Sequence, residues 1–432
     1  MTNPICDFLD NYRDRSQLRL HMPGHKGVGG MGVEGLDITE IEGADVLYNA
    51  KGIIRQSMDN ATGLFGTQRT LYSTEGSSLS IKAMLYLAML TRGDKRPLIA
   101  AGRNAHKVLM YGCALLDIEI DWLYGDSLLS CNITPDALEE YLRHNDPVAV
   151  YITSPDYLGN MADIKGLAEV CHRHGVMLLV DNAHGAYLKF LPASQHPIDL
   201  GADICCDSAH KTLPCLTGAG YLHISRNAPE YLCDMADDAM SLFASTSPSY
   251  LILYSLDRCN SYLDSVLRQR LCDTIPCVEE LKQSLFTVGD EPMKLTLDAK
   301  KYGYSGVELS ELMTEQGIVC EFADPDYLVM MLPPDKEAVI SVISALLYID
   351  RRAPIEDTPP ALKCLEKAMN PRQAIMSKNE PVSIDKALGR VLGAPSVSCP
   401  PAVPIAVCGE VIDQSAIELF RYYGIDKIRV II

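Results

Sequence analysis

Two stretches, VMLLVDNAHGA (residues 176–186) and ADICCDSAHKT (residues 202–212), decide how this chain folds. Each contains a short apolar run that is typical of a buried strand, followed by polar residues. Asp181 ends the first run, and Lys211 follows the second run, thirty residues further along the chain. Because ligands bind at the carboxyl ends of parallel strands, we expect these two side chains to stand at neighbouring strand ends.

The alternation of short apolar runs with helical patterns continues on both sides of these stretches. Further strands are predicted at PLIAAG (97–102) and PVAVYITSPD (147–156), and helices at residues 77–93, 134–145 and 163–175. Thr134 is a typical helix N-cap, and the proline after it suits the first helical position. This order predicts an α/β fold with a mostly parallel sheet that helices cover on both faces, in a three-layer sandwich.

The same patterns divide the chain into four segments. They are an N-terminal arm (1–50), a large α/β domain (51–285), a smaller α/β domain (286–352) and a C-terminal unit (353–432). The arm is rich in glycine and is expected to be irregular. We expect the chemistry in the large domain, where the strand ends carry Asp181 and Lys211.

The composition excludes several classes of protein. The chain carries a formal net charge of −18, so a nucleic-acid backbone would be repelled. It contains no apolar stretch long enough to span a membrane, and its opening residues show no secretory signal. Its 15 cysteines form no CxxC pair or zinc-type cluster, which favours buried thiols in a cytoplasmic protein.

A carboxylate and an amine at adjacent strand ends suit pyridoxal phosphate (PLP) well. This cofactor needs a lysine to bond with its aldehyde, which Lys211 would supply. It also needs an acidic group that keeps its ring nitrogen protonated, which Asp181 would supply. The ion pair with the ring would be strong only in a site of low dielectric constant.

Two further signals lie at predicted strand ends. Gly76, Ser77 and Ser78 precede a predicted helix, whose N-terminal N–H groups would bind a phosphate, and Ser208 offers another hydroxyl. His106 follows the strand PLIAAG, where its ring would stack on the pyridine ring. Each signal alone has a simpler explanation as a turn or helix cap. Their order and spacing together favour a PLP site.

With these motifs, the sequence resembles the prokaryotic ornithine/lysine/arginine decarboxylases, which are PLP enzymes of the aspartate-aminotransferase-like fold (fold type I). The motifs are HMPGHKG (21–27), DITEIEGADVL (37–47), STEGSS (73–78), RNAHK (103–107), DNAHGA (181–186) and DSAHKTLPCLTGAGYLH (207–223). The likeness covers nearly the whole chain. It suggests a short form that lacks the N-terminal receiver-like domain of the large inducible enzymes.

The resemblance implies roles for individual residues. Ser77 and Ser78 would bind the phosphate, and His106 would stack on the ring. Ala183 would pack beneath the ring with His184 nearby, and His210 would lie beside Lys211. The resemblance also implies a homodimer with the active site at the subunit interface. His25 and Lys26 of the arm would lie near that interface and are candidate substrate residues.

The sequence departs from the family pattern at several positions. Leu79 replaces a hydroxyl that the phosphate loop often carries. CPPAVP (399–404) stands where relatives tend to have Tyr-Pro-Pro-Gly-Ile-Pro, although Glu410 follows in place and is a candidate substrate residue. Asp156 stands where relatives carry a small polar residue. It is either a turn residue or a partner for the cationic end of the substrate.

The sequence therefore predicts a cytoplasmic decarboxylase that converts lysine, arginine or ornithine into the amine and carbon dioxide. Lys211, Asp181, His106 and His210 are the expected catalytic residues. An aminotransferase or a lyase of the same fold is an alternative, although residues 291–350 contain no arginine to grip a carboxylate. A second alternative is a catalytically silent homologue that binds a decarboxylase and regulates it. His172 and His174 have no partners at metal-ligand spacing, so no metal is expected.

Overall fold

The computed structural model describes residues 1–15, 17–93, 97–125, 132–399 and 403–432. The helices are α1 (Pro4–Asp14), α2 (Ile53–Phe65), α3 (Ser77–Met89), α4 (Lys107–Leu116), α5 (Pro135–Leu142), α6 (Ile164–Arg173), α7 (Ala209–Thr212), α8 (Tyr231–Asp234), α9 (Ala236–Ser241), α10 (Tyr250–Ser265), α11 (Leu267–Ser284), α12 (Gly306–Glu315), α13 (Lys336–Leu347), α14 (Pro371–Met376) and α15 (Gln414–Tyr422).

The strands are β1 (Arg69–Ser73), β2 (Leu98–Gly102), β3 (Glu119–Leu123), β4 (Ala149–Thr153), β5 (Met177–Asp181), β6 (Ile204–Asp207), β7 (Gly220–Ile224), β8 (Thr287–Val288), β9 (Lys294–Asp298), β10 (Phe322–Ala323), β11 (Tyr327–Met331), β12 (Asn379–Ser383), β13 (Ser396–Cys399), β14 (Val403–Val407) and β15 (Lys427–Ile431). Short 3₁₀ helices lie at Leu47–Asn49, Ala186–Phe190, Ala299–Tyr302 and Ile384–Lys386.

The main sheet has seven strands in the order β1-β7-β6-β5-β4-β2-β3. The pairs β5–β6, β2–β4 and β2–β3 are parallel, whereas β7 runs antiparallel to both β1 and β6. The α/β fold with a mostly parallel sheet that the sequence predicts is therefore confirmed. By compactness the described chain divides into a first unit, Met1–Thr91 with Met177–Gln269, and a second unit, Arg92–Val176 with Arg270–Ile432.

In the first unit, helix α3 is the main covering element of the sheet. It contacts β1, β5, β6 and β7 and buries eight of its residues, among them Leu79, Met84 and Leu87. A helix that is apolar on most of its surface is stable only inside a protein. Its packing across four strands fixes the position of its N-terminus, which begins at Ser77.

The N-terminal segment contains more regular structure than the sequence predicts. The first 50 residues were expected to be irregular, but helix α1 begins at Pro4, a residue suited to the first helical turn. The backbone N–H groups of Ile5 and Cys6 both donate to Oδ2 of Asp257, each at 2.9 Å. This carboxylate from helix α10 satisfies donors that a helix N-terminus otherwise leaves unpaired. The helix thus depends on a partner about 250 residues away in the sequence.

The second unit contains two further folded regions. Strands β10-β11-β9-β8 form a four-stranded antiparallel sheet. Helix α12 packs on this sheet and begins with a capping box in which Ser305 and Glu308 bond reciprocally. In the C-terminal region (353–432), β12 pairs with β15 and β13 pairs with β14. This region has its own apolar core, which includes Ile405, Phe420 and Val430.

Asp324 gives this unit a pH-dependent stability. Its side chain is 3% exposed, and its Oδ1 accepts N–H bonds from Asp326 and Tyr327 at 2.7 and 2.6 Å. Burial raises the pKa of Asp324 to about 6. Because this folded-state pKa exceeds the unfolded value, the group stabilises the fold at low pH, and that stability is lost as the pH rises through about 6.

We therefore expect Asp324→Asn, which keeps the accepting oxygen and removes the charge, to stabilise the protein at about pH 8 by about 1–3 kcal/mol. The gain should shrink towards about pH 4, where the wild-type carboxyl is protonated as well. Urea denaturation at both pH values measures it. Asp335→Asn, at an exposed helix cap, is the control. An Asp324→Asn effect of equal size at both pH values would contradict the assignment.

Candidate active site

Asp181 is the last residue of β5 and is 2% exposed. It lies opposite Cys206 in the parallel β5–β6 ladder, so the carboxyl ends of the two strands are adjacent. Its Oδ1 accepts the N–H of Ala183 at 3.2 Å and the thiol of Cys206 at 3.7 Å. The fold thus holds a buried carboxylate at the strand end where the sequence predicted one.

Lys211 lies in the short helix α7, directly after β6. Its Nζ is 3.0 Å from Nε2 of His184, a buried residue in the loop that follows β5. The segments after β5 and β6 therefore meet through these two side chains. Lys211 as a residue is exposed to solvent.

The glycine-serine loop before α3 is shaped by close backbone contacts. Gly76 adopts φ 68° and ψ −172°, a conformation that suits glycine alone. A Cβ added at Gly220 would lie 2.9 Å from the carbonyl carbon of Gly76 and 3.1 Å from the nitrogen of Ser77. The hydroxyl group of Ser208 donates a hydrogen bond to the hydroxyl oxygen of Ser77, at an O–O distance of 2.8 Å. Ser78 is exposed beside them in the first turn of the helix.

His210 completes this side of the first unit. Its Nδ1 is 2.8 Å from the carbonyl oxygen of Ala219, so this nitrogen carries the proton and donates. The ring lies close to the glycine-serine loop, because a Cβ at Gly76 would be 3.7 Å from its Cε1. Nε2 is then the ring nitrogen that remains able to accept or carry a second proton.

These residues of the first unit fit a PLP molecule chemically. The cradle at Gly76 and Ser77 combines a helix N-terminus with two serine hydroxyls, which suits a phosphate. Because Gly220 has no Cβ, the start of β7 packs closely against the backbone of Gly76 and Ser77 and holds this loop in place. Lys211 offers an amine for the aldehyde, and Asp181 a buried carboxylate for the ring nitrogen.

Other predicted residues have local partners. In the first unit, Nε2 of His25 is 3.1 Å from Oδ2 of Asp37, and Lys26 donates to the carbonyl of His21 at 2.7 Å. In the second unit, His106 is the exposed N-cap of α4, and its Nδ1 accepts the N–H of Val108 at 3.4 Å.

Asp156 lies in the turn after β4 and is 4% exposed. Its two oxygens accept from the backbone N–H and the side-chain amide of Asn160, at 2.8 and 2.7 Å. Burial raises the pKa of Asp156, although the bonds from Asn160 act in the opposite direction. The expected substrate role of Asp156 stays a prediction beside this turn-closing role.

Glu410 forms a buried ion pair with Arg103, which the sequence analysis missed. Nη2 of Arg103 lies 3.0 Å from Oε2 of Glu410, which also accepts the N–H of Val407 at 2.8 Å. Burial raises the pKa of Glu410, and the Arg103 guanidinium partly offsets this effect. Arg103 stands three residues before His106, so the C-terminal region fixes the start of the RNAHK motif. In the CPPAVP stretch, residues 400–402 lie outside the described residues.

The histidines that resembled metal ligands lie at the end of α6. His174 is its C-cap residue, with Nε2 3.1 Å from Oε1 of Glu139, and His172 is exposed. Within the described ranges, no helix has the length and apolar character needed to cross a bilayer.

Comparison with known proteins gives consistent matches. The family model "Orn/Lys/Arg decarboxylase, major domain" matches residues 3–291, more than half of the chain. An arginine decarboxylase of Bacillus subtilis is 29% identical and aligns over 96% of this chain and 92% of its own. The uncharacterized protein YaaO of the same organism is 28% identical over 97% of this chain and 93% of its own.

Solved structures agree on the fold. The lysine decarboxylase LdcF of Francisella novicida superposes with a TM-score of 0.78 at 16% identity, covering 100% of this chain and 81% of its own. Serine palmitoyltransferase of Sphingomonas wittichii matches with a TM-score of 0.55 at 15% identity, over 80% and 82% of the two chains. At these identities the likeness concerns the fold.

The buried Arg103–Glu410 pair supports a prediction of stability. Glu410→Ala leaves the guanidinium buried without its carboxylate, which should cost about 3–5 kcal/mol in the free energy of unfolding. Replacing both residues by methionine should cost much less, because no unpaired charge remains.

Urea denaturation measures both effects. Lys367→Ala is the matched control, since it breaks a half-exposed pair with Glu119 (3.1 Å) and should cost about 0–1 kcal/mol. A loss in Glu410→Ala no larger than in this control would show that Arg103 finds other compensation.

Proposed function

The chain belongs to the Orn/Lys/Arg decarboxylase family, and we propose that it removes the α-carboxylate of a basic amino acid. As a member of this family it is a PLP-dependent amino-acid decarboxylase. The observation that carries the proposal is the meeting of Lys211 with His184, beside the buried Asp181. The relatives named arginine decarboxylase support a basic amino acid as the substrate. Lysine and ornithine are basic amino acids as well and remain candidates.

The cofactor and the protein have distinct tasks. PLP, when bound, supplies a conjugated ring that accepts the electrons released as the carboxylate leaves. Lys211 would bond covalently to its aldehyde carbon. Gly76, Ser77, Ser78 and Ser208 would bind its phosphate through N–H groups and hydroxyls.

Asp181 would keep the ring nitrogen protonated. Its carboxylate is 2% exposed, and an ion pair in such surroundings is much stronger than one in water. By the family resemblance, Ala183 would pack beneath the ring and His106 would take the stacking role.

Two residues are candidates for returning a proton to Cα after the carboxylate has left. His210 donates through Nδ1 to the carbonyl of Ala219, so Nε2 would carry the proton that is transferred. Lys211 has His184 within 3.0 Å, which gives its amine a partner when the cofactor is released. Both groups act as general acids in enzymes.

The wider organisation is also part of the proposal. The enzyme would work in the cytoplasm as a homodimer, with His25 and Lys26 of the 1–50 arm near the subunit interface and Glu410 near the substrate. The large domain (51–285) would hold the cofactor. The small domain (286–352) and the C-terminal unit (353–432) would complete the chain.

Lys211 should carry the cofactor. Borohydride reduction of the holoenzyme, followed by peptide mapping, should place the pyridoxyl group on Lys211. Lys211→Ala should lose activity by several orders of magnitude, because covalent attachment is removed. Lys189→Ala is the control, since this lysine pairs with Asp199 at 2.7 Å and should leave the label in place. A label on Lys189 or Lys165 would refute the assignment.

Substrate identity is tested by incubating the holoenzyme with arginine, lysine and ornithine and identifying the amine formed.

If Asp156 binds the cationic end of the substrate, Asp156→Asn should lower kcat/KM for the best basic substrate about 10- to 150-fold, because charge-assisted hydrogen bonds contribute about 1.5–3 kcal/mol. A neutral analogue of equal length should be much less affected. Equal losses on both substrates would assign Asp156 to the turn with Asn160.

A further inference from the structure

A fully buried cluster of His196, Asp207 and His223 lies in the first unit, beside the proposed cofactor site. All three residues have 0% exposure. Nε2 of His196 and Nε2 of His223 each lie 3.1 Å from Oδ2 of Asp207. Asp207 is the last residue of β6, directly before Ser208.

The second oxygen of this carboxylate binds the neighbouring strand end. Oδ1 of Asp207 accepts the side-chain amide of Asn182 at 2.7 Å, and Asn182 directly follows Asp181. The backbone N–H of Asn182 donates to the carbonyl of Cys206 at 3.0 Å. One carboxylate therefore joins the end of β5, the segment that contains His196, and strand β7.

The hydrogen-bond partners of the imidazoles favour a network of protons over a metal site, although the ligand atoms lie within 4.8 Å of one another. Nδ1 of His196 accepts the backbone N–H of Ile198 at 3.4 Å, so the proton of a neutral ring must sit on Nε2. A metal ligand needs the opposite arrangement, in which the second ring nitrogen donates. Nδ1 of His223 lies 2.9 Å from the hydroxyl of Thr70, which can donate to it.

The charges of the cluster are consistent with this arrangement. Burial by itself raises the pKa of Asp207, but the two histidines outweigh it and hold that pKa below its usual value. Burial lowers the pKa of His223, against the opposing effect of Asp207. An ionised carboxylate thus accepts from four donors, the fourth being the thiol of Cys205 at 3.7 Å, which is the condition under which a buried charge is tolerated.

We propose that Asp207, held by His196 and His223, is a positioning residue that fixes the Asp181 segment against the Lys211 segment for PLP. This inference rests on the proposed function. Asn182 lies next to Asp181, and Ser208, which bonds to Ser77, lies next to Asp207. The carboxylate therefore joins the segments that would hold the ring nitrogen, the aldehyde and the phosphate.

The Asp207→Asn variant separates this role from a purely structural one. Asparagine offers one accepting oxygen and one N–H₂ group, so at least one of these donors loses its acceptor. A buried donor without an acceptor is unfavourable, and the resulting shift of the strand ends should weaken PLP binding roughly tenfold to a hundredfold. The pH midpoint of the visible absorption band of bound PLP should also shift.

Asp257→Asn is the matched control. Asp257 is also 0% exposed, and its carboxylate accepts hydrogen bonds from Ile5, Cys6 and Ser57, away from the cofactor residues. The PLP dissociation constant and the pH midpoint of the absorption band of Asp257→Asn should equal those of the wild type, whatever the thermal midpoint of this variant. The thermal midpoint of each chain without PLP records the structural effect separately.

A pair of substitutions at His223 gives a second test if Asp207→Asn does not fold. His223→Gln keeps a donor near the position of Nε2 and should retain PLP affinity, whereas His223→Leu removes the donor and should weaken binding. Equal PLP affinities in these two variants would overturn the proposal. So would equal losses of PLP affinity in Asp207→Asn and Asp257→Asn.

Three further outcomes are distinguishable. Elemental analysis that finds one metal ion per wild-type chain, absent from Asp207→Asn, would identify the cluster as a metal site and overturn the proposal. If borohydride fails to label Lys211 in the wild type, the proposed function itself fails, and the positioning role falls with it. Labelling of Lys211 with unchanged affinity in Asp207→Asn would refute the positioning role alone.

Discussion

The parallel pairing of β5 with β6 is the constraint on which the candidate site depends. It places Asp181 opposite Cys206, so both strands end at the same edge of the sheet. The segments that follow these strands bring the side chains of His184 and Lys211 to a distance of 3.0 Å. Helix α3 packs across the same strands, which fixes its N-terminus beside them. The cofactor chemistry follows from this shared edge.

In each unit, a buried charge bonds to segments that adjoin the proposed functional residues. In the first unit, Asp207 joins three segments by hydrogen bonds. In the second unit, the Arg103–Glu410 pair links the C-terminal region to the segment before His106. Neither arrangement is a simple source of stability, because desolvation offsets much of the attraction. Their clearest effect is to hold chain segments in a single arrangement.

The C-terminal region shows how packing preserves a unit whose motif has changed. Its CPPAVP stretch departs from the family pattern, yet Ile405 and Phe420 lie in a continuous apolar core. Cores tolerate sequence change when volume and patterning are kept. Glu410 also keeps a specific partner, so the region contributes a defined contact within the second unit.

Local patterns of apolar runs, glycines and motifs are enough to predict the α/β fold, the family and the positions of Asp181 and Lys211 at strand ends. The groups that the buried charges meet become visible only in the folded chain. Glu410 lies 307 residues from Arg103, and Asp257 lies 252 residues from Ile5, whose helix it caps. The positions of His196 and His223 in the sequence relative to Asp207 match no recognisable motif. Partners of this kind are set by chain packing, which no local pattern encodes.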